Sequence, residues 1–140
     1  MQFRKTRASN DMLYAIGSSS RIYTINSANG AATFVATLSI PLNGTSFGVD
    51  FNPVPDRIRI VSNTGQNLRV NPVDGATIND GAINPLPAAI TAAGYTNSVT
   101  GATTTMLYVI DTDADKLFIQ NPPNNGTLTM GMNLGVNADA

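Results

Sequence analysis

Asp111-Thr112-Asp113-Ala114-Asp115 puts carboxylates at alternate positions, the spacing with which a loop gathers oxygen ligands around one calcium ion. The rest of such a loop is missing, because Lys116 stands where the turn glycine belongs and Pro122 where the bidentate carboxylate belongs. The segment also falls between two apolar stretches, where Asp serves as a turn former and stays solvated. A hairpin loop is the expectation, with Asp111, Asp113 and Asp115 as the chain's metal candidate for Ca2+. Asp50, inside the apolar run GVDFNP, either points into the central channel of a ring and binds something there or accepts hydrogen bonds from backbone amides of a neighbouring loop. The second role is the expectation.

Arg57, Arg59 and Arg69 fall close together across a strand pair and read as a surface ladder rather than an anion site. Tyr14, Tyr23, Tyr95 and Tyr108 are the aromatic types of a sugar platform, but with no Trp beside them they read as core or rim packing. Asn43-Gly44-Thr45 and Asn125-Gly126-Thr127 fit the N-x-T acceptor pattern, and Asn-Gly is also a favoured turn. Ser18 to Ser20 have no G-x-S-x-G frame.

Catalysis has little to work with. The chain contains no His, no Cys and no Glu, which removes the usual general base and every Ser-His or Cys-His arrangement, and leaves acid chemistry to nine Asp. Charged residues are 12% of the 140 and the net charge is -1, so no strong field steers nucleic acid or anionic membrane. The one basic cluster, Arg4, Lys5 and Arg7, reads as a solvated arm. No run of about 18 apolar residues exists. The first residues lack the apolar length of a signal peptide's central region, so either the protein stays inside or the chain lacks its leader.

The elements that would position these residues repeat. Shifting the sequence by the 45 positions between Leu13 and Ile58 lays Tyr23 on Leu68, Ile25 on Val70, Asn26 on Asn71 and Gly30 on Gly75 without a gap. A third copy needs a shift of 49, carrying Ile58 to Leu107, Val61 to Ile110, Leu68 to Leu117 and Val70 to Ile119, with a closing turn Asn121 to Gly126 two residues longer. Ala93 to Asn97 takes the place of Val49 to Pro53, Thr127 to Leu134 reads as the last strand, and the first copy has no full equivalent of that first segment, Phe3-Arg4 reading as its remnant. Alternation within each short segment and the Asn, Pro, Asp and Gly between them describe antiparallel meanders. Helix is expected at most for a turn or two over Pro87 to Ala93.

A unit of about 45 residues with four short strands has the size of a β-propeller blade. The expected fold is therefore all-β, one domain over residues 1–140, propeller-like, with about three four-stranded antiparallel blades at roughly 1–44, 45–90 and 91–140, the first incomplete. Ile58 and Ile60 would enter the packing between blades while Arg57 and Arg59 face out.

At GVDFNPVPDRIRIVSNTGQNLRVNP, Tyr95-Thr96-Asn97, GATTTMLYVID (101–111) and QNPPNNGTL (120–128), the chain resembles the bacterial domain-of-unknown-function family 4394, over nearly the whole chain, from Leu13 to Val136. The resemblance implies an exported, propeller-type domain and no established activity, so it favours a missing leader. It also implies that the chain is a three-blade segment of a ring. Homo-oligomerisation is the physical remedy for such a segment, as a ring or a head-to-tail fibre. The expected function is a non-enzymatic, extracellular, self-assembling structural role. The alternative is a module recognising a glycan or partner protein, with Ca2+ in the Asp111 loop.

Overall fold

The computed structural model describes residues 2–4 and 12–139. Among the described residues twelve strands form three separate sheets, each a four-stranded antiparallel meander in chain order, and none closes into a barrel. The first sheet holds β1 (Gln2–Arg4), β2 (Met12–Gly17), β3 (Arg21–Ile25) and β4 (Ala32–Thr37). The second holds β5 (Phe47–Asn52), β6 (Arg57–Ser62), β7 (Asn67–Val70) and β8 (Thr77–Asn79), and the third β9 (Ile90–Tyr95), β10 (Leu107–Asp111), β11 (Lys116–Gln120) and β12 (Leu128–Asn133). The Phe3-Arg4 remnant is thus a strand paired to β2, and the first sheet has four strands like the others. Pro87 to Ala93 forms no helix; its end enters β9, and the described residues contain only a 3₁₀ turn at Pro123–Asn125. The adjacent β-branched Ile90 and Thr91, with Pro87 before them and Gly94 after, explain that preference.

The three sheets are closed by the same hydrogen bonds, so they are copies in structure as well as sequence. The turn asparagine of each donates its amide across the turn: Asn26 to the Ala31 carbonyl, Asn71 to Ala76, and Asn121 to Thr127. Eight residues after the turn glycines Gly30, Gly75 and Gly126 stand Leu38, Ile83 and Leu134. Their amides donate to Ser20, Gly65 and Asp115 at 2.9, 3.0 and 2.9 Å. Those three acceptors share a left-handed backbone, with φ of 63°, 86° and 52°. Such a conformation suits Gly and is tolerated by Asp.

Each sheet packs its front on the back of the one before. Phe51 on β5, Ile58 and Ile60 on β6, and Leu68 and Val70 on β7 meet Tyr14, Ile22 and Leu38 of the first sheet in one buried cluster. Leu107, Val109 and Leu128 of the third sheet meet Val61 and Ile83 of the second in the other. Full burial of such a side chain is worth about 1.5–3 kcal/mol, so the two clusters hold the stack together. The first strands of successive sheets also lie side by side, β1 with β5 and β5 with β9. A Cβ on Gly48 would fall 2.5 Å from the Ala92 carbonyl carbon, which is why β5 carries a glycine where it crosses β9.

One register differs from the uniform shift of 49. In the third sheet Val109 pairs with Phe118 and Ile110 with Leu117, whereas in the second Ile60 pairs with Leu68. Phe118 and Gln120 therefore take the front positions of Leu68 and Val70, and Leu117 and Ile119 turn to the back. A one-residue slip flips every side chain of a strand. The two extra residues of the third copy are divided, one in the β10–β11 hairpin and one in the turn before β12.

Candidate functional site

Arg59 follows an isoleucine and precedes another, so it leaves β6 on the back face. That face is covered by the third sheet, and Arg59 is 1% exposed. The expected outward-facing arginine is instead the centre of a buried polar seam. A buried cation needs a counter-charge and full use of its donors. Its Nη1 donates to Asp80 Oδ2 at 2.7 Å and Asn67 Oδ1 at 2.8 Å, its Nη2 to Asn124 Oδ1 at 2.6 Å, and its Nε to the Tyr95 hydroxyl at 3.3 Å.

Asp80 is shared, since Arg69 donates to both of its oxygens at 3.0 and 2.9 Å. Burial alone would push the Asp80 carboxyl up, but the hydrogen bonds and charges of Arg69 and Arg59 together outweigh it and hold its pKa below the ordinary carboxylate value. The Arg69 guanidinium is correspondingly raised, first through its hydrogen bonds to Asp80. Asn67 and Gln120 extend the seam. Asn67 Nδ2 donates to the carbonyls of Gly81 and Pro123, while Gln120 Nε2 donates to Asn67 Oδ1 and the Pro123 carbonyl. Gln120 Oε1 has no partner among the described residues. The arginine ladder is therefore corrected: Arg59 is interior, Arg69 is half-exposed and ion-paired, and Arg57 bonds the carbonyls of Pro55 and Asp56.

Asp50 fills a structural role, as expected, but its partner is a neighbouring strand and not a loop. Its carboxylate accepts from the Tyr95 amide on β9 and from its own neighbour Phe51, tying β5 to β9. Burial raises its pKa, and those two hydrogen bonds counteract part of the rise.

The calcium candidates lie at the end of β10 and in the hairpin loop that follows it, and their carboxylates are engaged separately. Asp111 Oδ1 accepts from the amides of Asp113 and Ala114, as Ser62 Oγ does from Thr64 in the second sheet, and Asp115 Oδ1 accepts from Ala138. Asp113 is exposed. No three acidic side chains converge as metal ligands among the described residues.

The tyrosines do not share a surface. Tyr14 meets Phe51 edge-on at 5.2 Å in the core, Tyr23 meets Phe34 at 6.0 Å on the front of the first sheet, Tyr95 lies in the seam, and Tyr108 is on the back of the third. Ser20 Oγ accepts from the Leu42 amide. Asn43 sits in an exposed loop and Asn125, also exposed, ends the 3₁₀ turn. Lys5, Arg7 and the Arg4 side chain lie outside the described residues. Sequence reasoning missed Asn67, Asp80, Gln120 and Asn124. The signal available was Arg59 itself, whose repeat mates Tyr14 and Tyr108 are not surface types.

The two ends of the stack are the other notable surfaces. On the front of the first sheet Phe34 is 54% exposed with Arg21 over its ring, and on the last strand Met130 and Met132 are exposed. No helix among the described residues is long and apolar enough to cross a membrane.

No curated protein matches the sequence. A family profile described as "Domain of unknown function (DUF4394)" matches residues 5–140. The chain, with its three repeated sheets and buried arginine seam, belongs to that family.

Proposed function

We propose that the chain is a propeller-type segment that joins copies of itself through the two open ends of its stack, as an exported and non-enzymatic structural protein. The observation that carries this reading is the repeated stacking rule. The second sheet's front covers the first sheet's back, and the third sheet's front covers the second's back. By the same rule the first front and the third back each want a mate. The neighbouring first strands β1, β5 and β9 support the propeller arrangement, in which such strands line an axis.

The non-enzymatic part rests on the missing His, Cys and Glu and on carboxylates already engaged in turns, amides and arginine pairs. Export is the part of the reading that the resemblance to the family favours. Copies that meet front to back close into a ring if their rotation closes and run on as a fibre if it does not. Light scattering on a size-exclusion column across a concentration series, with negative-stain images of the leading fraction, tests the assembly. A single-chain mass at every concentration would remove it.

A further inference from the structure

Resting on that assembly reading, we infer that the contact is head to tail: the Asn26 to Ala32 turn of one copy seats on the strand exit at Leu134–Gly135 of the next, with the Gly135 amide donating to the Gly30 carbonyl. The two contacts inside the chain define the geometry. Nine residues after Gly30 the Ser39 amide donates to the Gly75 carbonyl of the following sheet at 3.0 Å, and nine after Gly75 the Asn84 amide donates to the Gly126 carbonyl at 2.9 Å. A second bond returns from two residues beyond each turn glycine. The Thr77 amide donates to Ser39 Oγ at 2.8 Å and the Leu128 amide to the Asn84 carbonyl at 2.7 Å.

Nine residues after Gly126 stands Gly135, and no further sheet follows it within the described chain. At the other end Gly30 has the same turn but no such mate among the described residues. A Cβ on Gly75 would fall 2.3 Å from the Thr37 carbonyl oxygen and one on Gly126 2.3 Å from that of Ala82, whereas a Cβ on Gly30 meets nothing within 4 Å.

The side chains agree with this pairing. Leu38 and Ile83, eight residues beyond their turn glycines, are buried in the two sheet-to-sheet clusters. Leu134 has the same place and the same amide bond but only half the cover. The back face beside it carries Tyr108, Ile110, Leu117 and Ile119, at the positions that Tyr14, Ile16, Ile22 and Thr24 fill in the first sheet and Arg59, Val61, Asn67 and Arg69 in the second, and these four third-sheet residues too are half-covered. The occupant is a second copy presenting its own first sheet, because every sheet contact in the chain is front on back. Two back faces meeting would lack a turn glycine to receive the Gly135 amide.

The test uses two variants that each block one end. Gly30→Asn keeps a residue tolerated in the left-handed conformation and adds a side chain where the mates of Gly30 have no room. Met132→Asp puts a charge at the place of Ala36, whose Cβ a Cβ on Gly75 would approach to 3.2 Å, and Met132 is 42% exposed, so the fold has room for it. Ile119→Lys serves as a second back-face variant, at the position of the half-exposed Arg69. Far-UV circular dichroism checks that each is folded.

Light scattering on the full chain is expected to give assemblies for the unaltered protein, at least tenfold weaker association for each variant alone, and 1:1 dimers when a front-blocked and a back-blocked variant are mixed. If the unaltered chain assembles and Gly30→Asn assembles equally well, the assembly reading stands and this contact is overturned. Self-pairing of either variant, or no pairing in the mixture, overturns it as well. An unaltered chain that stays single removes the assembly reading and this contact with it.

Discussion

Replacing Arg59 by Met tests whether the polar seam holds the second and third sheets together. Met matches the length of the stem and removes the charge and five donors. Four acceptors then lose a bond, but not equally. Asp80 keeps both bonds from Arg69, and Asn67 Oδ1 keeps the one from Gln120, while Asn124 and the Tyr95 hydroxyl lose the Arg59 bond without those substitutes. Asp80, 6% exposed, is left with one cation in place of two. Breaking a buried pair costs about 3–5 kcal/mol, and the retained Arg69 bonds place this case near the lower end, about 3 kcal/mol. At this chain length that corresponds to a fall in Tm of roughly 10 °C. Arg69→Met is the control, because its side chain is 31% exposed and water screens the pair, so its loss is about 1 kcal/mol or less. Urea and thermal unfolding at one fixed protein concentration measure both. Equal losses for the two arginines would refute the account of Arg59 as the seam's centre.

Other outcomes follow from the same geometry. Asp80 has a lowered pKa in the fold, so its stabilisation is present above the ordinary carboxylate value of 3.8 and is lost as pH falls through the folded value; Asp80→Asn should flatten that acid limb in urea midpoints. Asp50 is the reverse, because its raised pKa makes stability decline as pH rises from 3.8 through the folded value, and Asp50→Asn should abolish that decline. Gly75→Ala and Gly48→Ala, which bring a Cβ to 2.3 and 2.5 Å from backbone atoms of the adjoining sheet, should lower Tm strongly, while Gly30→Ala should cost only about 1–2 kcal/mol of left-handed strain. Gln120→Leu should be near neutral, within about 1 kcal/mol by urea unfolding, since Asn67 Oδ1 keeps Arg59 and the Pro123 carbonyl keeps Asn67 Nδ2.

The repeat was legible because apolar alternation and turn residues are local. Leu13, Ile58 and Leu107 with their glycines located three sheets before any coordinate was known. The register of β11 was not legible, since the extra residue hides in the Asp111 to Asp115 loop and both Leu117-Ile119 and Phe118-Gln120 offer plausible strand patterns. Arg59 was misplaced for a related reason. Charge was read as exposure, but in a stack of sheets both faces are interior, and Arg59 is satisfied by Asp80, 21 residues on, and Asn124, 65 residues on. Such partners are brought together only by the packing of one sheet on the next. The Asp111 loop was legible as a turn because an Asp that caps its own hairpin needs only neighbours in sequence.

Light scattering of the unaltered chain at rising concentration tests the central claim most directly. On the proposed assembly reading, other copies cover the first sheet's front and the third sheet's back, so the mass should exceed the 14.7 kDa of one chain, as a discrete two-chain ring or as a longer fibre. A constant 14.7 kDa up to high concentration would contradict it.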